Sequence, residues 1–214
     1  MSWPEVRFRV GFDRVVVDTN DDESAADLLV PAVWSVLLAL RGQEALHGCA
    51  VEQSGRALAI LGDSGAGKST VGHMLIKRGW RVVTDDLLTV DAEGDVQPGP
   101  PFLRLNPNQR RQQVQTLDTG GKVRMYGPTC TRRVPLGALI VLAPEYRRPR
   151  RLTGMAAASA LLTQNYNPLP IHSDHARRRF DMAVDLAGRV PVYGAPPRSL
   201  TAVALDQLIS EAFT

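Results

Sequence analysis

The feature that most constrains the fold of this chain is a glycine-rich segment at residues 62–70. Its sequence, GDSGAGKST, fits the pattern G-x-x-x-x-G-K-[ST] without a gap. An apolar run of strand type precedes it, and residues 68–78 favour a helix that stops at Gly79, which suits a left-handed C-terminal cap. The segment therefore predicts a strand, a tight loop and a helix in succession.

This loop has the composition of a phosphate-binding site. Glycines let the backbone turn inward so that successive amides point at phosphate oxygens, and the helix adds the positive end of its dipole. Lys68 is expected to reach the β- and γ-phosphates of ATP, and the Ser69 hydroxyl is expected to coordinate Mg²⁺. A glycine-rich turn that binds nothing explains fewer of these features. The predicted nucleotide-binding residues are Gly62, Asp63, Ser64, Gly65, Ala66, Gly67, Lys68, Ser69 and Thr70.

Two adjacent carboxylates follow the next predicted strand, residues 81–84. If that strand adjoins the strand before the loop, Asp85 and Asp86 lie beside the phosphates, at the carboxyl edge where α/β sheets bind ligands. One aspartate is suited to hold Mg²⁺, and the other to accept a proton from a substrate hydroxyl. The alternative is a strand that ends in an aspartate turn. The position directly after the loop and helix favours the functional interpretation, and the sequence does not assign the two roles.

Composition sets wider limits. The 214 residues suit a single domain, and 25 basic against 22 acidic side chains give a net charge of +3. So weak a positive charge, with no aromatic residues among the clustered arginines, argues against a nucleic-acid partner. The N-terminus lacks the apolar core of a signal peptide, and Pro31 interrupts the most apolar stretch, so no membrane association is expected. Two cysteines without a CxxC pair indicate a reduced, cytoplasmic protein.

Strands and helices alternate along the chain, which is typical of an α/β layered domain. Strands are predicted at residues 47–52, 56–61, 87–90, 102–105, 135–142 and 190–193, with one or two more within 6–18. Helices are predicted at residues 27–40, 106–117, 154–163, 174–187 and 200–213, a turn at 119–121 and a loop at 147–151. We expect one domain over 1–214, with an N-terminal strand and helix extension (1–45), a nucleotide-binding core (46–95) and a substrate-facing C-terminal part (96–214).

Residues 46–90, LHGCAVEQSGRALAILGDSGAGKSTVGHMLIKRGWRVVTDDLLTV, resemble the catalytic core of HPr kinase/phosphorylase. Four landmarks follow in that family's order: a His-Gly one hairpin before the loop, a GDSGxGKS loop, a helix ending in Arg-Gly and a strand ending in Asp-Asp. The resemblance implies an α/β fold, a P-loop NTPase-type layered sheet with flanking helices, of the HPr kinase/PEP carboxykinase-like kind.

The resemblance also implies roles for individual residues. Ser69 and one of Asp85 and Asp86 would hold Mg²⁺ beside ATP, and the other aspartate would act as base toward a serine hydroxyl. His47 matches a family histidine that lies near the aspartates and helps to set their reactivity. Without the resemblance, His47 would be interpreted as a histidine at the edge of a strand.

The chain length and the segments LLTQNYNP and GRVPVYGAPP are similar to short HPr-kinase-related proteins of ribosomal peptide clusters, which include kinases of lasso-peptide precursors. The Glu-x-x-Gly-rich signature of the HPr kinase family has no counterpart in residues 103–126. Recognition of HPr and the phosphorylase reaction are therefore in doubt, whereas phosphoryl transfer is untouched. The identity of the acceptor and assembly into a homo-oligomer are left open.

Further basic side chains are candidates for phosphate or substrate binding. A kinase needs cations besides the loop lysine to stabilise the charge of the transferred group. Lys122 and Arg124 would share one face of a strand over residues 122–126, and Arg132 precedes a predicted core strand. His172 and His175 have the spacing of a metal pair, but no third ligand is near, and a helix N-cap at Ser173 or Asp174 explains the stretch.

These observations predict an ATP- and Mg²⁺-dependent kinase that transfers the γ-phosphoryl group to a hydroxyl, with a serine of a peptide or protein as the acceptor. No LSGGQ-like or NKxD-like stretch is present, which argues against a transporter ATPase and a GTPase. A nucleotidyl transferase or a small-metabolite kinase is the alternative among enzymes. A nucleotide-gated binding module without transfer activity is the alternative from another class.

Overall fold

The computed structural model describes residues 2–3, 6–105, 116–117, 122–166, 174–198 and 200–213. Its strands are β1 (Ser2–Trp3), β2 (Val6–Val10), β3 (Val15–Thr19), β4 (Leu46–Gln53), β5 (Arg56–Gly62), β6 (Arg81–Thr84), β7 (Leu87–Leu88), β8 (Asp95–Val96), β9 (Phe102–Leu105), β10 (Thr116–Leu117), β11 (Val123–Tyr126), β12 (Val134–Leu142), β13 (Arg150–Leu152) and β14 (Val192–Ala195). Its helices are α1 (Asp22–Leu28), α2 (Trp34–Leu40), α3 (Lys68–Ile76), α4 (Gly154–Leu162), α5 (His175–Arg189) and α6 (Ala202–Phe213), with a π-helix at Leu29–Val33.

A mixed sheet forms the centre of the fold. Its strand order is β13-β14-β12-β5-β4-β6, with β7 beside β4 and β8 beside β12. Strands β5, β12 and β14 are parallel, whereas β4 runs antiparallel to both β5 and β6. The expectation that β6 adjoins β5 is therefore wrong, because β4 lies between them. Two reversals give β6 the direction of β5, so their carboxyl ends still meet at one edge of the sheet.

Helices cover both faces of this sheet. Along β5, Ala57, Ala59 and Leu61 face α4 and α5, while Leu58 and Ile60 face α3 and α6. A strand that is buried on both faces needs apolar side chains at every position rather than at alternate ones. The continuous apolar runs of β5 and β12 follow from this arrangement, and they confirm the α/β layered fold.

The N-terminal segment forms a unit of its own beside the sheet. Strands β1, β2 and β3 make an antiparallel sheet whose Val6 and Phe8 pack on α1 and the π-helix. The predicted hairpin is confirmed, but the predicted helix start at residue 27 is wrong. The helix begins at Asp22, because Asp21 Oδ1 accepts a hydrogen bond from the Ser24 amide at 3.0 Å and caps it.

Other boundaries also differ from the sequence-based expectations. Arg150–Leu152, expected in a loop, forms edge strand β13 against β14, and β14 begins two residues later than predicted. Helix α3 ends at Ile76 rather than at residue 78. The predicted helix at 106–117 and turn at 119–121 fall mostly outside the described residues, as does His172, although residues 116–117 are described as strand β10.

Both cysteines, Cys49 and Cys130, are buried free thiols. Within the described parts of the chain, no helix combines the length and the apolar character that a membrane crossing requires.

Packing of the Tyr146 ring on Gly194 gives a test of the fold. A Cβ at position 194 would lie 2.6 Å from Tyr146 Cζ, inside a fully buried strand. Gly194→Ala should therefore lower the free energy of unfolding by about 1–3 kcal/mol. The Tm should fall by about 2–4 °C per kcal/mol in calorimetry.

The matched control is Gly188→Ala in α5, where an added Cβ meets no heavy atom within 4 Å. Alanine in a helix is better than glycine by about 0.5–1 kcal/mol, so this variant should raise the Tm slightly. Equal Tm values for the two variants would contradict the packing described here.

Candidate functional site

The loop between β5 and α3 has the backbone shape that its glycines allow. Gly62, Gly65 and Gly67 have φ of 148°, 80° and 106°, which other residues rarely adopt. A Cβ at Gly62 would also lie 2.7 Å from the Leu142 carbonyl oxygen. The loop therefore turns directly into α3, whose first amides face a cavity of about 660 Å³ lined by Ser64, Gly65, Lys68 and Ser69.

Lys68 bends back over this loop. Its Nζ donates hydrogen bonds to the carbonyl oxygens of Gly62 at 2.8 Å and Asp63 at 3.1 Å. Burial lowers the pKa of Lys68, because desolvation disfavours the ammonium form, and the neighbouring carboxylates oppose that shift. The ammonium group lies at the base of the cavity, within reach of an anion that enters it.

Asp85 is the buried partner of the loop. Its Oδ1 accepts a hydrogen bond from Ser69 Oγ at 3.2 Å, and its Oδ2 accepts one from the Arg104 amide at 2.6 Å. Burial, together with the charge of Asp86, raises the pKa of Asp85 to about 7, against the opposing effect of the hydrogen bonds from the Arg104 amide and Ser69.

Asp86 has the opposite electrostatic environment. Its Oδ1 lies 3.2 Å from His47 Nε2, and its Oδ2 accepts a hydrogen bond from Arg104 Nη1 at 3.3 Å. Burial alone would raise the pKa of Asp86, but hydrogen bonding and charge from His47, together with Lys122 and Arg104, lower it to about 2. The two adjacent carboxyls thus have well-separated pKa values, the pattern by which one site holds distinct acid and base functions.

His47 is held in place from two sides. It occupies the start of β4, and its amide donates to the Gln164 carbonyl at 2.7 Å. Two residues after Gln164, the Tyr166 ring lies 5.6 Å from the imidazole of His47 in an edge-to-face arrangement. The sequence did not predict this contact, because residues 164–166, within the segment LLTQNYNP, approach β4 only through the tertiary fold.

The three basic side chains predicted to bind phosphate or substrate lie in different places in the structure. Lys122 lines the cavity with the loop and both aspartates. Arg124 instead forms an ion pair with Asp27 of α1 and lies over the Phe102 ring, 5.3 Å from its centroid. Arg132 is not brought to the site: it lies beside the turn at Gly55, at the end of β5 that is remote from the loop.

Two other arginines, which the sequence did not predict as site residues, line the larger cavity. Arg104 lies on β9, 18 residues after Asp86 in the sequence, so only the fold brings it close to the two aspartates. Arg198 follows β14, where its amide donates to the Ala66 carbonyl at 3.0 Å and its Nε donates to Gly65 at 2.8 Å. Its φ of 58° is unusual for a residue other than glycine. The only sequence signal was an arginine in a loop at the carboxyl end of a core strand.

The polar groups here suit Mg²⁺ only when phosphate oxygens complete its shell. Among the described residues, no group of three or more His, Cys, Asp or Glu side chains is arranged to hold a metal by itself. Ser69 and Asp85 nevertheless present a hydroxyl and a carboxylate side by side, with Asp86 next to them. Mg²⁺ prefers such oxygen ligands and usually takes one or two carboxylates plus phosphates and water, so this donor set fits.

A smaller cavity of about 180 Å³ also borders the aspartates. It is lined by Ala26, Asp27, Asp85, Asp86, Pro100, Phe102, Arg104 and Arg124. Asp85, Asp86 and Arg104 line both cavities and form the partition between them.

A strand–loop–helix segment whose loop faces two carboxylates at the same sheet edge defines an α/β fold of the P-loop type. Comparison with known proteins narrows the class. Residues 38–97 match the family model described as the HPr Serine kinase C-terminal domain. This segment is therefore similar to the HPr kinase family, and the resemblance expected from the sequence is confirmed for it.

The similar proteins agree on this family. HPr kinase/phosphorylase of Streptococcus salivarius is 33% identical over 92 residues, which are 43% of this chain and 30% of that protein. The one from Clostridium beijerinckii is 48% identical over 52 residues, 24% of this chain and 17% of that protein. The chain thus matches less than a third of the length of these relatives.

One solved structure is also similar, that of the Hpr(Ser) kinase/phosphatase from Coxiella burnetii. It is 14% identical, with a TM-score of 0.41, and the match covers 79% of this chain and 95% of that one.

Proposed function

We propose that this chain is an ATP- and Mg²⁺-dependent kinase of the HPr kinase type, which transfers the γ-phosphoryl group of ATP to a hydroxyl. The observation that carries the proposal is the convergence of three groups in one cavity: the phosphate loop with Lys68, the Ser69–Asp85 hydrogen bond, and the ionised Asp86. Phosphoryl transfer needs these parts and little covalent chemistry from the protein.

In this proposal the triphosphate of ATP binds to the amides at residues 62–70, at the N-terminal end of α3. Lys68 exchanges its two carbonyl partners for phosphate oxygens. Arg198 is anchored on the loop through its amide and Nε, which directs the rest of its guanidinium at the same cavity. With Lys122 and Arg104, these cations neutralise the charge that spreads over the transferred group.

Ser69 and Asp85 would hold Mg²⁺, which supplies charge neutralisation at the β- and γ-phosphates. We assign the proton acceptor to Asp86 on geometry, because Asp85 is turned toward the loop and Asp86 toward His47. Asp86 takes the proton of the acceptor hydroxyl while the hydroxyl oxygen bonds to the γ-phosphorus. His47 and Arg104 hold the carboxylate of Asp86 in that orientation.

The acceptor that we propose is a serine of a peptide or protein, as the name HPr Serine kinase suggests for the matched family. A peptide precursor of a ribosomal peptide cluster is the more specific substrate suggested by the resemblance of the chain's length and C-terminal segments. The two buried free thiols agree with a reducing compartment, so we place the protein in the cytoplasm, where ATP is plentiful. Self-assembly is left to a measurement of mass in solution.

Lys68→Ala tests nucleotide binding. Loss of a charge-assisted contact with phosphate should weaken binding of a Mg²⁺–ATP analogue about 10- to 100-fold, measured by isothermal titration calorimetry. Lys77→Ala, at the exposed end of the same helix, is the matched control and should stay within twofold of the unmodified chain. Equal affinities for Lys68→Ala and Lys77→Ala would contradict the assigned nucleotide site.

Asp86→Asn tests the transfer step. With candidate precursor peptides, ATP and Mg²⁺, mass spectrometry should show addition of one phosphate group by the unmodified chain. Asp86→Asn should reduce that rate by about 10²- to 10⁴-fold while still binding ATP, because the amide cannot accept the proton.

The exposed Asp206→Asn in α6 is the matched control and should transfer normally. A product that carries a nucleotide would replace the kinase by a nucleotidyl transferase. Slow ATP turnover without modification of any acceptor would favour the binding module, and undiminished transfer by Asp86→Asn would remove Asp86 as the base.

A further inference from the structure

The smaller cavity, defined above by its eight lining residues, is separate from the space that the phosphate loop serves. None of the loop residues 62–70 lines it. Its walls come from α1 through Ala26 and Asp27, from the segment before β9 through Pro100, and from β9 and β11 through Phe102 and Arg124. Its boundary with the nucleotide cavity consists of Asp85, Asp86 and Arg104.

This arrangement suits a reaction between two molecules that enter from different sides. In phosphoryl transfer the attacking oxygen and the leaving oxygen lie roughly in line across the phosphorus. A nucleotide on the loop and an acceptor in the smaller cavity would meet at the three residues that line both cavities. Asp86 faces both spaces, so its carboxylate is within reach of a hydroxyl that comes through the smaller cavity.

Size and lining restrict the occupant. A volume of about 180 Å³ is below the roughly 300–1,000 Å³ of sites for drug-sized ligands, so it accommodates one residue of a chain rather than a nucleotide. Ala26, Pro100 and Phe102 add apolar surface to a lining that also holds carboxylates. A short hydroxyl-bearing side chain fits this combination of polar and apolar surface.

Helix α1 is tied into this cavity by charge. Asp27 is buried, forms an ion pair with Arg124, and lies 4.0 Å from Arg104 Nη2, which also donates to the Asp27 carbonyl at 3.4 Å. Arg104 Nη1 in turn donates a hydrogen bond to Asp86 Oδ2. One continuous set of contacts therefore runs from α1 through Arg104 to the carboxylate that we assign as base.

We propose that this smaller cavity is the acceptor pocket, that it takes a single serine-like residue of an extended peptide, and that α1 of the N-terminal unit forms its outer wall. This inference rests on the proposed kinase function. The seryl O–H bond breaks as the proton passes to Asp86, the seryl oxygen bonds to the γ-phosphorus, and the bond from the γ-phosphorus to the bridging oxygen breaks to release ADP. The N-terminal unit is thus part of the substrate site rather than an appendage to the sheet.

The test blocks the mouth of the pocket reversibly. Ala26 is exposed at its rim, and the native cysteines Cys49 and Cys130 are buried, so Ala26→Cys adds one accessible thiol. That thiol is converted to a benzyl disulfide with a methanethiosulfonate reagent and later released with dithiothreitol. Because the same folded protein is assayed before and after, a folding defect cannot imitate the result. Ala156→Cys, at an exposed position of α4, is the matched control.

The probe is a pool of synthetic hexapeptides, each with one central serine and randomised flanks, incubated with γ-labelled ATP and Mg²⁺. Benzylated Ala26→Cys should label the pool at least tenfold more slowly than its reduced form, with full recovery after reduction. Its affinity for a Mg²⁺–ATP analogue should stay within twofold. Benzylated Ala156→Cys should label the pool at its unmodified rate.

Each other outcome has a distinct meaning. Undiminished labelling by benzylated Ala26→Cys overturns the acceptor pocket and leaves the kinase standing. A parallel loss of nucleotide affinity also overturns it, because the block would then act through the nucleotide cavity. No labelling of any pool by the unmodified chain refutes the proposed function itself, and this result appears before any cysteine is introduced.

Discussion

A buried and a half-buried carboxylate, Asp85 and Asp86, at the end of one strand are the constraint on which the site depends. Burying a charged group is costly unless it is paired and hydrogen-bonded. All four carboxylate oxygens have partners: Ser69 and the Arg104 amide for Asp85, and His47 and the Arg104 guanidinium for Asp86. Those partners come from α3, β9 and β4, so satisfying the pair also fixes the relative positions of three elements.

Arg104 connects the sheet edge that carries Asp85 and Asp86 to the rest of the molecule. Its amide holds Asp85, one guanidinium nitrogen holds Asp86, and the other reaches Asp27 on α1. The strand order also brings the parts of the site together. Because β4 runs antiparallel to both β5 and β6, those two strands run in the same direction, and β6 ends at the edge where the loop begins. The nucleotide side and the proposed acceptor side therefore share Asp85, Asp86 and Arg104, which hydrogen bonds hold to one another.

The local parts of this site could be predicted from the sequence because each depends on short-range rules. The loop glycines have the positive φ that the pattern demands, and the continuous apolar character of β5 and β12 reflects burial on two faces. The helix start at Asp22 was missed because its cap, Asp21, precedes polar rather than apolar residues.

Arg104, Arg198 and Tyr166 could not be predicted in the same way. Each reaches the site through pairing of distant segments, and no local pattern carries that information. Arg132 is the opposite case. Its position before a core strand predicted a place in the site, but it lies at the end of β5 that is remote from the loop. Local patterns thus predict the loop and the acidic pair, and the fold adds the cations that surround them.

The most direct test of this account is a crystal structure of the unmodified chain with Mn²⁺ and a non-hydrolysable ATP analogue, recorded at the manganese absorption edge. The account predicts one anomalous peak bound by Ser69 Oγ and the Asp85 carboxylate, with the triphosphate on the amides of residues 62–70. It also predicts that the γ-phosphate faces Asp86. A nucleotide bound elsewhere, or a metal ion remote from Ser69 and Asp85, would contradict it.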